Sequence, residues 1–244
     1  MPRFHFVSGA ATHVGCIRKL NEDAYLDRAD LGLWAVADGM GGHEAGDHAS
    51  QAAVAALAEI PSPQGAAPFL AAVKAALHSA NADLRQEAAG RGPGRIIAST
   101  VVALLAFGEH YACVWAGDSR LYLLREETLS QVSRDHSHVQ ELVDTQMLSP
   151  EEARNHPYSN VVTRAVGAAD ELELETIHDR LRDGDLFLLC SDGLCKAVED
   201  DEIRAILMRE SLFDAPHVLI EAALARRASD NVTVVLVQCR GAGD

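Results

Sequence analysis

The chain has 244 residues, 48% of them hydrophobic, which suits one domain with a sizeable core. A formal net charge of −15 opposes nonspecific attraction to nucleic acid. No stretch approaches the roughly 18 continuous apolar residues of a membrane span, and Met1-Pro2-Arg3-Phe4-His5 lacks the pattern of a secretory signal, so a cytoplasmic protein without membrane insertion is expected.

Residues 4–7 read as an opening strand, followed by a polar segment carrying Arg18, Glu22 and Asp23 and a short extended element at 24–26. The run Leu33-Trp34-Ala35-Val36-Ala37 reads as a buried strand that gives way at Asp38 to the bend Gly39-Met40-Gly41-Gly42-His43-Glu44. An alanine-rich helix is predicted over 45–60, ended by Pro61 and Pro63. A second helix is predicted over 69–89, with Phe69, Val73, Leu77 and Leu84 on one face. Strands at 99–107, 111–115 and 120–124 are joined by Gly108-Glu109-His110 and Gly117-Asp118-Ser119, a spacing that favours an antiparallel meander. Helical segments at 135–146 and 150–155 lie in a more irregular insertion. A strand at 185–190, helices at 201–209 and 215–227, and a strand at 232–237 complete the chain. The pattern implies helices layered on sheets in a single domain over 1–244, without linker or repeat.

Of the five cysteines, none forms a Cys-x-x-Cys pair. Cys113 and Cys190 sit in apolar runs, where packing is the expected role.

Four carboxylates stand at strand mouths: Asp38, Asp118, Asp192 and Asp230. Each alone can be a turn residue. Together they repel one another, and hard cations such as Mg²⁺ or Mn²⁺ relieve that repulsion through oxygen donors. Asp38 can bridge two cations while Asp192 and Asp230 complete one side, and Gly39 can offer its carbonyl because no side chain blocks the approach. Two cations about 4 Å apart can activate a water against a phosphate. The planar fork of Arg18 suits phosphate oxygens better than the point charge of Lys19. Glu22 and Asp23 can orient waters or bind metal directly. His136, within Arg134-Asp135-His136-Ser137, reads as a loop-stabilising residue with a general-acid role as the alternative, and His43 as a cap or packing residue.

In chain order, Arg18-x-x-Asn21-Glu22-Asp23, Val36-Ala37-Asp38-Gly39-Met40-Gly41-Gly42, Gly117-Asp118-Ser119-Arg120, Asn160-Val161-Val162-Thr163-Arg164-Ala165-Val166-Gly167, Ser191-Asp192-Gly193 and Ser229-Asp230-Asn231 form one set. That set resembles the metal-dependent protein serine/threonine phosphatases of the PPM, or PP2C, family in their bacterial form. The resemblance implies an α+β fold, a four-layer sandwich of two facing antiparallel β-sheets flanked by helices. It implies hydrolysis of phosphoserine and phosphothreonine in proteins by a dimetal-activated water, opposing a Ser/Thr kinase. The implied cofactors are two core Mn²⁺ or Mg²⁺ ions, with a weaker third. Carried over to this chain, Asp38 bridges the two main ions, Gly39 adds its carbonyl, and Asp192 and Asp230 bind the first ion. Asp118 with Asp192 makes the third site, Glu22 and Asp23 support the second ion largely through water, and Arg18 binds substrate phosphate. The segment from Asp135 toward Asn160 corresponds to a flap beside the site. The implied partners are phosphorylated proteins and a cognate kinase, with the chain a monomer.

Two departures stand out: Ser99-Thr100 replaces a common Gly-Thr, and Met40 replaces the histidine that follows Asp-Gly in many eukaryotic members. Two other readings compete with the protein phosphatase. One is a metallophosphatase for nucleotides or small phosphomonoesters, although no P-loop motif is present. The other is a noncatalytic phosphoprotein-binding module.

Overall fold

The computed structural model describes residues 4–41, 45–154 and 156–241. The predicted roles of Gly42, His43 and Glu44, and the predicted helix end at Asn155, fall outside them. One sheet runs in the order β1 (Phe4–His13), β11 (Val232–Gly241), β10 (Leu186–Cys190), β7 (Arg120–Arg125), β8 (Thr128–Gln131). The other runs β2 (Asp23–Arg28), β3 (Leu33–Met40), β5 (Val101–Phe107), β6 (His110–Ala116), β9 (Glu175–Arg180), with β4 (Ala98–Ser99) paired to the end of β3. The named strand pairs in both sheets are antiparallel.

The period-two geometry of strands sorts their apolar residues into three cores. From β3 and β5, Leu33, Ala35, Val101, Ala103 and Leu105 pack beneath α1 (Ala45–Ala58) and α2 (Ala66–Gly90). Their neighbours Trp34, Val36, Val102 and Leu104 point the other way and meet Phe187, Leu189, Val235 and Val237 of the opposite sheet. On that sheet's outer face, Leu188, Val234 and Leu236 pack under α5 (Asp192–Ala197), α6 (Asp200–Arg209) and α7 (Ala215–Ala225). Helices, sheet, sheet and helices make the four layers. Because these strands are buried on both faces, they read in sequence as continuous apolar runs. The insertion carries α3 (His138–Asp144) and α4 (Pro150–Arg154).

One expectation is corrected. The strands around 99–124 do not form a meander: β5 pairs with β6, but β7 leaves that sheet and pairs with β10 of the other. The turn at Gly117-Asp118-Ser119 therefore crosses between sheets. Gly117 adopts φ +117°, and a Cβ there would lie 2.5 Å from the Thr100 Cβ, so the crossing needs glycine. Turn length alone does not say in which sheet the next strand lands.

Three elements escape the sequence reading. β9 and β8 are mostly exposed edge strands without an apolar run. Helix α5 begins at Asp192-Gly193, a pair that reads as a turn.

Candidate active site

A cleft of about 370 Å³ is lined by Asp38, Asp118, Asp192 and Asp230, together with Arg18, Glu22, Gly39, Asn160 and Lys196. Strand geometry explains the convergence. Asp38 continues the inward face of Trp34 and Val36, so it is the polar end of the inter-sheet core. Asp118 occupies the turn that crosses between sheets, Asp192 opens α5 directly after β10, and Asp230 lies two residues ahead of β11.

Backbone contacts hold these positions. The Asp38 N–H donates to Thr100 Oγ1 at 3.0 Å, and its carbonyl accepts from Thr100 N–H at 2.9 Å and Ser99 Oγ at 3.0 Å. Thr100 Oγ1 lies 2.7 Å from Ser119 Oγ, which links the Asp38 strand end to the Asp118 turn. Ser99, the departure from Gly-Thr, thus adds a hydrogen bond to the Asp38 carbonyl. A Cβ on Gly39 would lie 1.9 Å from the Gly46 carbonyl oxygen and 2.7 Å from that of Glu22, so only glycine permits this approach. Asn231 Oδ1 accepts from Glu22 N–H at 2.8 Å, and its Nδ2 donates to the carbonyls of Val14 and Leu20. The residue after Asp230 therefore fastens the loop bearing Arg18 and Glu22.

The carboxylates are electrostatically crowded. Burial, then the charges of Asp192, Asp23 and Asp118, push the Asp38 carboxyl well above the usual carboxylate range. Burial and Asp192 push Asp118 up to about 8. Asp23 lies buried, its Oδ2 accepting from Ser191 Oγ at 2.8 Å and Thr233 Oγ1 at 2.7 Å. Burial outweighs those bonds and raises it to about 7. Burial also raises Glu22, against the opposing charge of Arg18. Two cationic side chains answer this charge. Arg18, half exposed, grips Asp230 with Nε–Oδ1 and Nη2–Oδ2 contacts of 3.0 Å each. Lys196 contacts Asp192 Oδ2 and lies 2.5 Å from Asn160 Oδ1. Burial works against the Lys196 ammonium, but Asp192 and Asp118 outweigh it and raise its pKa.

The donor set fits hard divalent cations. The acidic side chains offer carboxylate oxygens, and Gly39 lines the same cleft. Asp192 Oδ1 and Asp23 Oδ1 are buried without a hydrogen-bond partner, a costly state that a cation or water would relieve. Among the described residues no three His, Cys, Asp or Glu side chains stand close enough together to hold one ion by themselves. Ions held here would draw on water for the rest of their shells, as Mg²⁺ commonly does.

The structure thus brings the predicted Arg18, Glu22, Asp38, Gly39, Asp118, Asp192 and Asp230 to one cleft and buries Asp23 beside Asp38, its cross-strand partner. Lys19 is exposed and does not line it. His136 is buried and braces the Asp118 turn: its Nδ1 accepts from Gly117 N–H at 3.2 Å, and its ring stacks on Trp115 at 5.9 Å. That is the loop-stabilising role. The sequence reading missed Lys196. Its signal is the four-residue spacing from Asp192, visible only once Asp192 is placed at the start of a helix.

Comparison with known proteins agrees with this geometry. A family profile described as protein phosphatase 2C matches residues 18–225. The chain is 39% identical over 222 residues to the serine/threonine protein phosphatase PstP of Mycobacterium tuberculosis, covering 91% of this chain and 43% of that protein. It therefore spans less than half of that relative's length. Among solved structures it is similar to PppA, described as a key regulatory component of T6SS in Pseudomonas aeruginosa. That match has 44% identity, a TM-score of 0.90, and coverage of 96% of this chain and 98% of the other. It is also similar to the catalytic domain of PstP in complex with two manganese ions, at 36% identity, TM-score 0.88, and coverage of 97% and 99%. Among the described residues no helix is long and apolar enough to cross a membrane. With the matched profile covering most of its length, the chain belongs to the protein phosphatase 2C family.

Proposed function

We propose that this chain hydrolyses phosphoserine and phosphothreonine in proteins, as a single catalytic domain that uses Mn²⁺ or Mg²⁺. The observation that carries this reading is the convergence of Asp38, Asp118, Asp192 and Asp230 on one cleft with Arg18. Two ions, when bound, supply Lewis acidity and a water acidic enough to act as nucleophile near neutral pH. Asp38, Asp192 and Asp230, with the Gly39 carbonyl, are the groups that would hold them, Asp38 being the one they would share. Glu22 on the cleft wall and the buried Asp23 beside Asp38 would support the second ion, largely through water. The third, weaker ion expected at Asp118 and Asp192 would have to share that edge with Lys196.

The half-exposed Arg18 guanidinium can turn one face to substrate phosphate while keeping Asp230 in reach. It thereby orients the phosphorus for in-line attack and balances charge on the equatorial oxygens. Met40 offers no acidic proton and His136 is packed behind the Asp118 turn, so solvent protonates the leaving serine or threonine oxygen. The chain acts as a monomer in the cytoplasm, opposing a cognate Ser/Thr kinase. Matched turnover assays on a phosphoprotein, a phosphopeptide and a nucleotide test this assignment. Faster, saturable nucleotide turnover would replace it with a small-molecule phosphatase, and binding without phosphate release would replace it with a recognition module.

A further inference from the structure

We propose that Lys196 is the resident cation of the Asp118–Asp192 edge, so that the site takes two divalent ions and excludes a third. The inference rests on the dimetal reading above.

Helix α5 fixes the arrangement. Lys196 follows Asp192 by four residues, one turn along the same helical face. Its ammonium contacts Asp192 Oδ2 and, at 2.5 Å, Asn160 Oδ1 across the cleft. Asp118 lines the same cleft, and the Lys196 charge bears on both acids.

The two oxygens of Asp192 are consequently divided. Oδ2 is engaged by Lys196, whereas Oδ1 is buried and has no hydrogen-bond partner. Oδ1 would remain available to an ion held with Asp38 and Asp230. A further ion between Asp118 and Asp192 would need the oxygen that Lys196 holds, and would meet a like charge at contact distance. An ammonium is compact and has three donors, so it can satisfy Asp192 and Asn160 together. Lys196 is thus a positioning residue: it touches no reacting atom and acts through Asp192.

Counting bound Mn²⁺ by electron paramagnetic resonance and equilibrium dialysis tests this. The metal-stripped native chain should saturate at two ions. Lys196→Met should take up a third, weaker ion, Lys196→Arg should remain at two, and adding Asp118→Asn to Lys196→Met should return the count to two. Three ions on the native chain, or two on a folded Lys196→Met variant by circular dichroism, would overturn the proposal. Fewer than two on the native chain would instead overturn the dimetal reading itself, so the two failures are distinguishable.

Discussion

Asp23 and Asp38 are cross-strand partners on β2 and β3, and their carboxyls divide the work of one sheet end. Asp38 lines the cleft, while Asp23 reaches the facing sheet through Ser191 and Thr233. Burial raises both pKa values, Asp23 to about 7 and Asp38 well above the usual range. At these two sites the folded metal-stripped chain therefore binds more protons than the unfolded chain from the ordinary carboxylate range up to about 7 and beyond. The contribution of these two carboxyls to stability falls as pH rises through that window. Thermal unfolding of metal-stripped protein should show a lower midpoint at about pH 8 than at about pH 5, and saturating Mn²⁺ should reduce the difference. A midpoint that climbs steadily with pH would contradict the assignment.

Replacing Asp38 by Asn separates catalysis from stability. The substitution removes a buried carboxyl whose ionised form is disfavoured there, so the metal-stripped variant should unfold at the same temperature as the native chain or higher. Metal-dependent phosphate release should fall about 100-fold or more, because both ions lose a donor. Near-native turnover in a folded Asp38→Asn variant would remove Asp38 from its bridging role.

Arg18→Ala should lower kcat/KM for a phosphoprotein by about 10- to 100-fold, the worth of a charge-assisted hydrogen-bond pair. Arg18→Lys should recover only part of this, since an ammonium cannot present the planar fork. Calorimetry on the same variants should show core-ion binding retained. Equal loss in Arg18→Lys and Arg18→Ala, together with lost metal binding, would recast Arg18 as a structural partner of Asp230.

Thr100→Val keeps shape but leaves the Asp38 N–H and the Ser119 hydroxyl without their partner. Urea unfolding should show a loss of about 1–3 kcal/mol, the cost of stranding buried polar groups. A loss below about 0.5 kcal/mol would show that the two turns do not depend on this link.

What the sequence discloses follows from where polar residues interrupt apolar runs. Asp38 is legible because a doubly buried strand must be apolar until it leaves the core, and Ala37-Asp38-Gly39 marks that exit. Asp192 and Asp230 are legible for the same reason at the mouths of β10 and β11. The crossing at Gly117-Asp118-Ser119 is not, because a tight turn fits either a hairpin or a change of sheet. The edge strand Glu175–Arg180 is half solvated and polar, so it lacks the pattern that exposed its neighbours. Lys196 stayed hidden because its meaning depends on a helix beginning at Asp192-Gly193.

The most direct test of the dimetal site is phosphate release from a Ser/Thr-phosphorylated protein by metal-stripped enzyme as Mn²⁺ is added back. Release should be near background without metal, rise saturably on Mn²⁺ addition, and not rise in the Asp38→Asn variant. Release that is independent of added metal, or an equal rise in Asp38→Asn, would contradict it.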